Sequence, residues 1–355
     1  MQYRRLGNTG LIVSRFCLGA MTFGGAATPP YDKVGGLAQA EATQLVDMAL
    51  DAGINFIDTA DVYSAGESEI LLGQALQGRR DAVVVATKFH APMGSGPNDA
   101  GQSRLHLTRA LDASLRRLGT DYIDLYQIHN FDPLTPLEET LRALDDAVSA
   151  GKILYAGLSN FPAWRVARAD AIAGLRGWAP LIGLQMEYSL AERSAEREAL
   201  PMLDALGLGG ALWSPLGGGL LTGKYRNNEE GRLQGLNGFL TRTEKSARER
   251  NTVDAVLAVA AELDAPATQV AIAWLLQRGA AAQTTLVPIL GPRSRAQLDG
   301  TLGALTLKLT PEQYARLDAA SAIALGAPYE VNAQTAPRIA GGAPELLQPA
   351  RLPVA

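Results

Sequence analysis

Four polar side chains in the first half of the 355-residue chain are of types that can move protons. Asp58, Lys88 and His129 each end a short apolar run with the composition of a β-strand, and Tyr63 follows Asp58 by five residues. In a barrel of parallel strands, all the carboxyl ends open onto one face. Such a fold would bring an acid, an ammonium, an imidazole and a phenol into one pocket.

Proton transfer is the chemistry that this set predicts. A phenol has an ordinary pKa of about 10, which is too high for ready proton exchange near neutrality. A neighbouring ammonium favours the phenolate and lowers that pKa. Lys88 can supply the ammonium, Asp58 can hold it in place, and His129 can hydrogen-bond the same substrate oxygen. Tyr63 is then a candidate general acid toward a carbonyl oxygen.

Each of these residues also has a structural interpretation when it is taken alone. Asp58 and Lys88 could form an ion pair in the barrel core. Tyr63 could be an ordinary loop aromatic, and His129 could be a hydrogen-bonded core histidine. The occurrence of all four at strand ends favours catalysis over these separate interpretations.

Strand-like and helical segments alternate along the chain. Two short runs around residues 7–10 predict a β-hairpin within residues 1–14 that caps the bottom of a barrel. Eight further apolar runs predict its strands, at 16–18, 55–58, 83–88, 122–129, 154–159, 181–187, 211–214 and 284–290. The pattern predicts an α/β protein, a (β/α)₈ TIM barrel forming one domain over residues 1–355. A doubly wound open sheet is the alternative, but no Gly-x-Gly-x-x-Gly follows the first strand.

Three further segments have predicted roles. Ser103 is a candidate N-cap of the helix after the third strand. The glycine-rich stretch 217–238 after the seventh strand is too long for an ordinary βα loop, which is typical of a functional loop. The C-terminal segment 322–355, which contains Tyr329 and scattered prolines, is predicted to lie near the active site as a specificity loop.

Composition excludes several classes of protein. A net charge of −4 gives no reason to expect nucleic acid or an anionic membrane as a partner. No run reaches the ~18 apolar residues needed to span a bilayer, and the N-terminus lacks a signal-peptide core, so we expect a cytoplasmic protein. Cys17 is the only cysteine, and the three histidines are too few for a metal-dependent barrel hydrolase. No metal is predicted.

Residues at the remaining strand ends suit a nicotinamide cofactor. Ser159, Asn160 and Gln185 offer the hydrogen bonds that a carboxamide requires. Trp213 ends the seventh strand, where an indole can stack on a flat ring. The alternative is a structural role, in which Ser159 and Asn160 cap the helix beginning at Pro162 and Trp213 belongs to the core.

Two segments suit the phosphates of such a cofactor. The loop 214–224 has glycines that let a backbone approach a phosphate closely, and Lys224 could neutralise its charge. Arg293 lies past the eighth strand and just before a helix N-terminus, which is the usual anion site of this kind of barrel. An arginine there suits a 2′-phosphate and favours NADP over NAD, although a lone arginine could also be a solvated charge.

With these residues in place, the chain resembles the aldo-keto reductase superfamily over nearly its whole length, from Tyr3 to about Leu305. The segments that carry the resemblance are 17–24, 53–63, 118–129, 157–161 and 213–216. The resemblance implies reduction of an aldehyde or ketone by NADPH without a metal. It implies that Tyr63 is the acid, that Lys88 and Asp58 adjust the pKa of Tyr63, and that His129 orients the carbonyl.

The resemblance also implies a set of cofactor contacts: Gly19, Met21, Thr22, Asp58, Ser159, Asn160, Gln185, Trp213, Ser214, Pro215, Leu216, Gly218, Leu220, Lys224, Ile289, Gly291, Arg293 and Gln297. One departure affects the adenine end. After Gln297 the family often has an acidic residue followed by Asn, both on the adenine. Here Gly300 and Thr301 occupy those positions, which predicts a looser hold on that ring.

The substrate side of the pocket is predicted from aromatic and imidazole side chains that follow strand ends. Phe23, His90, Phe131 and Phe161 would join Tyr63 and His129 around a small-molecule carbonyl substrate, although each could equally be a packing residue.

A second hypothesis is a nicotinamide-binding regulatory subunit that uses redox state as a signal and resembles potassium-channel β-subunits.

Overall fold

The computed structural model describes residues 1–227 and 242–339 of the chain. Two predicted segments are therefore only partly covered. Residues 228–238 of the predicted glycine-rich stretch and residues 340–355 of the predicted C-terminal segment lie outside the described residues.

Eight parallel strands close into a barrel. They are β3 (Cys17–Gly19), β4 (Phe56–Asp58), β5 (Val84–Phe89), β6 (Ile123–Ile128), β7 (Ile153–Ser159), β8 (Leu181–Glu187), β9 (Gly209–Trp213) and β10 (Leu286–Leu290). Each strand pairs with the next in sequence, and β10 pairs with both β9 and β3. The (β/α)₈ barrel is thereby confirmed and the open sheet excluded. Predicted and observed strand ends differ by at most two residues.

Helices surround this barrel. Within the described residues they are α1 (Tyr31–Val34), α2 (Gln39–Asp51), α3 (Glu67–Ala75), α4 (Arg104–Leu118), α5 (Leu137–Ser149), α6 (Ala163–Arg176), α7 (Ala199–Leu206), α8 (Ala247–Glu262), α9 (Ala267–Ala281), α10 (Arg295–Leu302), α11 (Pro311–Ser321) and α12 (Tyr329–Ile339). The predicted cap of α4 is confirmed, because the Ser103 hydroxyl accepts a hydrogen bond from the amide of His106. The helix ends at Gly119, whose φ of 64° favours glycine.

An antiparallel hairpin closes the amino-terminal end of the barrel, as predicted. Its strands are β1 (Tyr3–Arg5) and β2 (Ile12–Ser14). In the connecting turn, Gly7 has a φ of +59°, and a Cβ there would lie 2.7 Å from the carbonyl oxygen of Gly207. The side chains of Leu6 and Val13 pack with residues of the strands in the interior of the barrel. The hairpin is thus a hydrophobic plug at the end opposite the carboxyl ends of the strands.

The described part of the C-terminal segment packs beside the connection between β8 and α7. Tyr329 donates a hydrogen bond to Glu198 at 2.7 Å, and Arg197 donates one to the carbonyl oxygen of Ala324 at 3.0 Å.

None of the helices listed above is, by itself, both long and apolar enough to cross a membrane; α8 and α9 pass on length and composition only as a pair bent by 102°.

One acidic side chain is buried without the partners that an ionised carboxylate requires. Asp61 follows β4 and is 0% exposed, and neither of its carboxyl oxygens makes a well-formed hydrogen bond with a described residue. Burial and the negative charge of Glu69 raise the pKa of Asp61 to about 8, against the opposing effects of Arg117, the Val62 amide and Lys88. The neutral acid is therefore the form that the fold accommodates near neutral pH.

We predict that Asp61 makes the fold less stable as the pH rises. Its pKa is higher in the folded than in the unfolded chain, so stability falls from the ordinary carboxyl pKa up to about pH 8. The slope is about 1.4 kcal/mol per pH unit. Asp61→Asn removes this dependence, so its advantage in melting temperature over the parent should grow from pH 5 to pH 8.

The control for this prediction is Asp51→Asn, which removes the same charge from an exposed helical position. Its melting curve should track that of the parent at each pH. Parallel pH profiles for the parent and Asp61→Asn would show that the Asp61 carboxyl is not held in its neutral form.

Candidate active site

A cavity of about 910 Å³ lies at the carboxyl ends of the barrel strands. Residues at the ends of six different strands contribute to its wall: Gly19, Asp58, His129, Asn160, Gln185 and Trp213. The parallel barrel produces this convergence, because every strand points its carboxyl end at the same face. Leu290, Gly291 and Arg293, at and after the end of β10, complete the circuit.

The fully buried ammonium of Lys88 lies at the centre of the predicted tetrad. Its Nζ donates hydrogen bonds to Asp58 at 2.7 Å, to the carbonyl oxygen of Thr59 at 2.7 Å and to the Tyr63 hydroxyl oxygen at 3.2 Å. Burial disfavours the ammonium, but the carboxylate of Asp58 and the oxygen of Tyr63 outweigh it, so the pKa of Lys88 lies above its ordinary value. Lys88 therefore keeps its positive charge beside the phenol.

The carboxylate of Asp58 is itself held by two amide side chains. Gln127 and Gln185 donate hydrogen bonds to its Oδ1 at 3.3 and 2.8 Å. Gln185 was predicted as a cofactor ligand, and it does line the cavity. Gln127 was missed, although a signal existed, because a polar residue two positions before His129 on a strand faces the same side as that histidine.

His129 presents a neutral imidazole to the cavity. Its ring meets the Tyr63 ring edge-on, with centroids 5.7 Å apart. Burial, followed by the charges of Lys88 and His90, holds the pKa of His129 well below its usual range. The buried Nδ1 makes no hydrogen bond within the described residues. A neutral imidazole can hydrogen-bond a substrate oxygen without placing a second positive charge beside Lys88.

The Asn160 side chain forms hydrogen bonds with residues at three strand ends. Its Nδ2 donates to the carbonyl oxygen of His129 at 3.0 Å and to the Ser159 hydroxyl at 3.1 Å. Its Oδ1 accepts a hydrogen bond from the indole nitrogen of Trp213 at 3.0 Å. Both amide hydrogens are thus used within the protein, while the Oδ1 keeps a second lone pair. This network fixes the plane of the Trp213 ring at the cavity wall.

The loop after β9 forms a part of the cavity wall, with Gly218 and Gly219, that we call the glycine cradle. Gly218 and Gly219 have φ values of 67° and 101°, a region that favours glycine. The Tyr225 hydroxyl donates a hydrogen bond to the carbonyl oxygen of Gly218 at 2.6 Å, and Thr222 donates one to that of Gly219 at 2.8 Å. Lys224 also lines the cavity here.

The amino-terminal end of α10 also lines this cavity, through Arg293, Ala296 and Gln297. Ser294 caps the helix by accepting a hydrogen bond from the amide of Gln297. The Gln297 side chain accepts one from the backbone amide of Arg293. The guanidinium of Arg293 lines the cavity and makes no ion pair with any described residue, whereas that of Arg226 is paired with Glu244 and Asp254.

Most of the predicted cofactor residues line this cavity: Gly19, Met21, Asp58, Asn160, Gln185, Trp213, Ser214, Pro215, Leu216, Gly218, Lys224, Ile289, Gly291, Arg293 and Gln297. Three lie behind its wall. Ser159 and Leu220 are buried, and Thr22 is buried with its hydroxyl donating to the carbonyl oxygen of Pro292 at 2.9 Å. Gly300 and Thr301, which depart from the family pattern, do line the cavity.

The structure does not place the predicted substrate-side aromatics at the wall. Phe23 is fully buried, Phe131 and Phe161 pack edge to face with centroids 5.4 Å apart, and His90 does not line the cavity. Among the described side chains of the C-terminal segment, residues 322–335, none lines it either. The wall residues that sequence reasoning missed come mainly from connections and outer helices: Pro30, Tyr31, Val34, Val62, Ala91, Asn130, Leu257, Pro266 and Thr268.

These features fit a dinucleotide. One cavity is lined by a neutral imidazole and a fixed indole plane, which suit a nicotinamide ring, and by a glycine cradle and a guanidinium without an ion pair among the described residues, which suit phosphates. Among the described residues, no three side chains of the His, Cys, Asp and Glu types are grouped as metal ligands.

Comparison with known proteins identifies the family. The model of the Aldo/keto reductase family matches residues 15–322. An uncharacterized oxidoreductase, YrpG, of Bacillus subtilis (strain 168) is 40% identical over 88% of this chain and 93% of its own length. The versiconal hemiacetal acetate reductase of Aspergillus parasiticus is 35% identical over 90% and 96%. A probable voltage-gated potassium channel subunit beta of Oryza sativa subsp. japonica is 38% identical over 77% and 83%. The chain belongs to the Aldo/keto reductase family.

Proposed function

We propose that this protein reduces an aldehyde or a ketone to the alcohol with NADPH as the hydride donor. The observation that carries the proposal is the hydrogen-bonded series from Asp58 through Lys88 to the oxygen of Tyr63, with a neutral His129 beside it on the cavity wall. Relatives that are named as reductases support this direction of the reaction.

The proposed mechanism gives each residue of the tetrad one task. When bound, a reduced nicotinamide nucleotide supplies a hydride to the carbonyl carbon. Tyr63 donates its proton to the carbonyl oxygen, and the ammonium of Lys88 stabilises the negative charge left on the phenol oxygen. Asp58 keeps Lys88 charged and fixed. His129 orients the carbonyl oxygen toward Tyr63 by a hydrogen bond from its neutral ring.

The proposed preference for NADPH over NADH rests on Arg293 and the amino-terminal end of α10. A 2′-phosphate requires a positive charge that is not already neutralised, and the Arg293 guanidinium meets this condition among the described residues. The adjacent amino-terminal end of α10 adds backbone amides and the positive end of a helix dipole.

Replacing the proposed acid should slow turnover without preventing cofactor binding. In Tyr63→Phe the ring and its edge contact with His129 remain, but the proton donor is lost. General acid catalysis contributes about 10²–10⁴-fold. We expect kcat/KM for small aldehydes, followed by NADPH absorbance, to fall by a factor in this range while the NADPH dissociation constant is unchanged.

Tyr122→Phe is the matched control, because it removes a tyrosine hydroxyl that donates to Asp81, outside the cavity. Its kinetics should equal those of the parent. Equal rates for the parent and Tyr63→Phe would refute the assignment of Tyr63 as the acid.

Removing the Arg293 guanidinium should weaken the binding of NADPH more than that of NADH. A hydrogen bond to a charged group is worth about 1.5–3 kcal/mol, which corresponds to about 10- to 100-fold in the dissociation constant. We expect Arg293→Ala to lose this much affinity for NADPH and little for NADH, as measured by isothermal titration calorimetry. Arg295→Ala, an exposed neighbour outside the cavity, is the control. A parallel loss for both nucleotides would contradict a contact with the 2′-phosphate.

A regulatory subunit is the second candidate, because two relatives are named as probable potassium channel β-subunits. The same cavity would then bind the nucleotide and report its redox state. Tight NADPH binding with negligible turnover across a broad panel of carbonyl compounds would favour this alternative over the reductase.

A further inference from the structure

The connection between β3 and α2 forms a closed loop that reaches into the cavity. We call residues 24–36 the substrate loop. At its base, the amide of Gly24 donates a hydrogen bond to the carbonyl oxygen of Leu37 at 2.8 Å, and the amide of Leu37 donates one to that of Thr22 at 3.1 Å. The loop therefore leaves the barrel and returns to it at one place. Tyr31, at the start of α1, lies within it.

The substrate loop is fastened to the turn that presents the proposed acid. This turn spans Tyr63–Gly66. The Ser64 hydroxyl donates a hydrogen bond to the carbonyl oxygen of Phe23 at 2.9 Å. The amide of Gly25 donates one to the carboxylate of Glu67, which follows the turn, at 2.7 Å. The position of the loop is thus defined relative to the reacting group.

Gly25 lets Tyr31 approach this turn closely. A Cβ on Gly25 would lie 2.4 Å from the Cβ of Tyr31 and 2.7 Å from the hydroxyl oxygen of Ser64, and its φ is +84°. A glycine is therefore required between the two residues. Tyr31 consequently packs one glycine away from the residue that follows the acid.

The Tyr31 phenol is a hydrogen-bonding group that the described residues leave unused. It lines the same cavity as Tyr63, and its hydroxyl makes no hydrogen bond with a described residue. Burial, followed by the charges of Tyr63 and Asp61, raises the pKa of Tyr31 to about 12. The hydroxyl thus keeps its proton at neutral pH and can both donate and accept a hydrogen bond.

Apolar residues form part of the same wall. Pro30 and Val34 of the substrate loop, with Val62 and Ala91 of the following connections, line the cavity together with Tyr31. A single hydroxyl among apolar groups fixes orientation and provides specificity in small-molecule sites. Tyr63 and His129 are already assigned to the reacting oxygen, so the Tyr31 hydroxyl is left for a different atom of the substrate.

We propose that Tyr31 is a specificity-determining residue whose hydroxyl binds a second oxygen atom of the substrate. The preferred substrates are then carbonyl compounds that carry a hydroxyl or a second carbonyl on an otherwise apolar body. This inference rests on the proposed carbonyl reduction, because it assigns a partner to the part of the substrate that does not react.

The test compares benzaldehyde with ortho-, meta- and para-hydroxybenzaldehyde in the parent and in Tyr31→Phe, with NADPH. Loss of one neutral hydrogen bond corresponds to about a three- to tenfold change in KM. We expect KM for the isomer whose hydroxyl reaches Tyr31 to rise by this factor, with KM for benzaldehyde and all kcat values unchanged. Inhibition constants of the corresponding hydroxybenzyl and benzyl alcohols should show the same selective change.

Tyr3→Phe is the matched control, since it removes an exposed hydroxyl that donates to the Gly53 carbonyl oxygen, outside the cavity. It should leave every constant unchanged. An equal shift in KM for all four aldehydes, or no shift, overturns the inference, and a uniform fall in kcat does so by placing Tyr31 in proton transfer. Absence of turnover by the parent contradicts the proposed function itself, whereas turnover with unaltered preference in Tyr31→Phe contradicts this inference alone.

Discussion

The burial of one ammonium is the constraint on which the site depends. Removing a charge from water costs several kcal/mol unless opposite charge and hydrogen bonds replace its hydration. Lys88 has three N–H donors, and its three acceptors are Asp58, the Thr59 carbonyl oxygen and the oxygen of Tyr63. The phenol is therefore one of the three groups that replace water around a buried cation. The need to solvate Lys88 fixes the position of Tyr63 before any substrate enters.

Closure of the barrel is what satisfies this constraint. Asp58 on β4 reaches Lys88 on β5, and its other oxygen is held by Gln127 on β6 and Gln185 on β8. Lys88 and Gln127 are direct partners in the register between β5 and β6. Since side chains alternate between the two faces of a strand, a shift of one residue would turn Lys88 out of the barrel. The ion pair and the register thus stabilise each other.

Sequence predicts the parts of the site that local pattern determines. Apolar runs ending in Asp58, Lys88 and His129 predicted the strands, and the polar ends predicted which side chains meet. The hydrogen bond from Gln185 to Asp58 spans 127 residues, and no local pattern encodes it. The substrate side was harder still, because aromatic type alone does not distinguish a wall residue from packing. In the structure, Phe131 packs on Phe161. Much of the wall is formed by loops whose paths depend on tertiary contacts.

The same division separates the chemistry from its selectivity. In the proposed reaction, strand ends and the turn after β4 carry the reacting groups, and other connections add to the wall around the substrate. The substrate loop meets this turn where Ser64 and Ala65 adopt φ values of 53° and 55° directly after the proposed acid. Such conformations cost of order 1–3 kcal/mol each for residues with a side chain and persist only where neighbouring contacts hold them. The hydrogen bond from Ser64 to the carbonyl oxygen of Phe23, at the base of the substrate loop, is one such contact. The base of the substrate loop therefore also stabilises the strained backbone that presents Tyr63. Loss of this contact would act on the position of Tyr63, whereas removal of the Tyr31 hydroxyl leaves the contact in place.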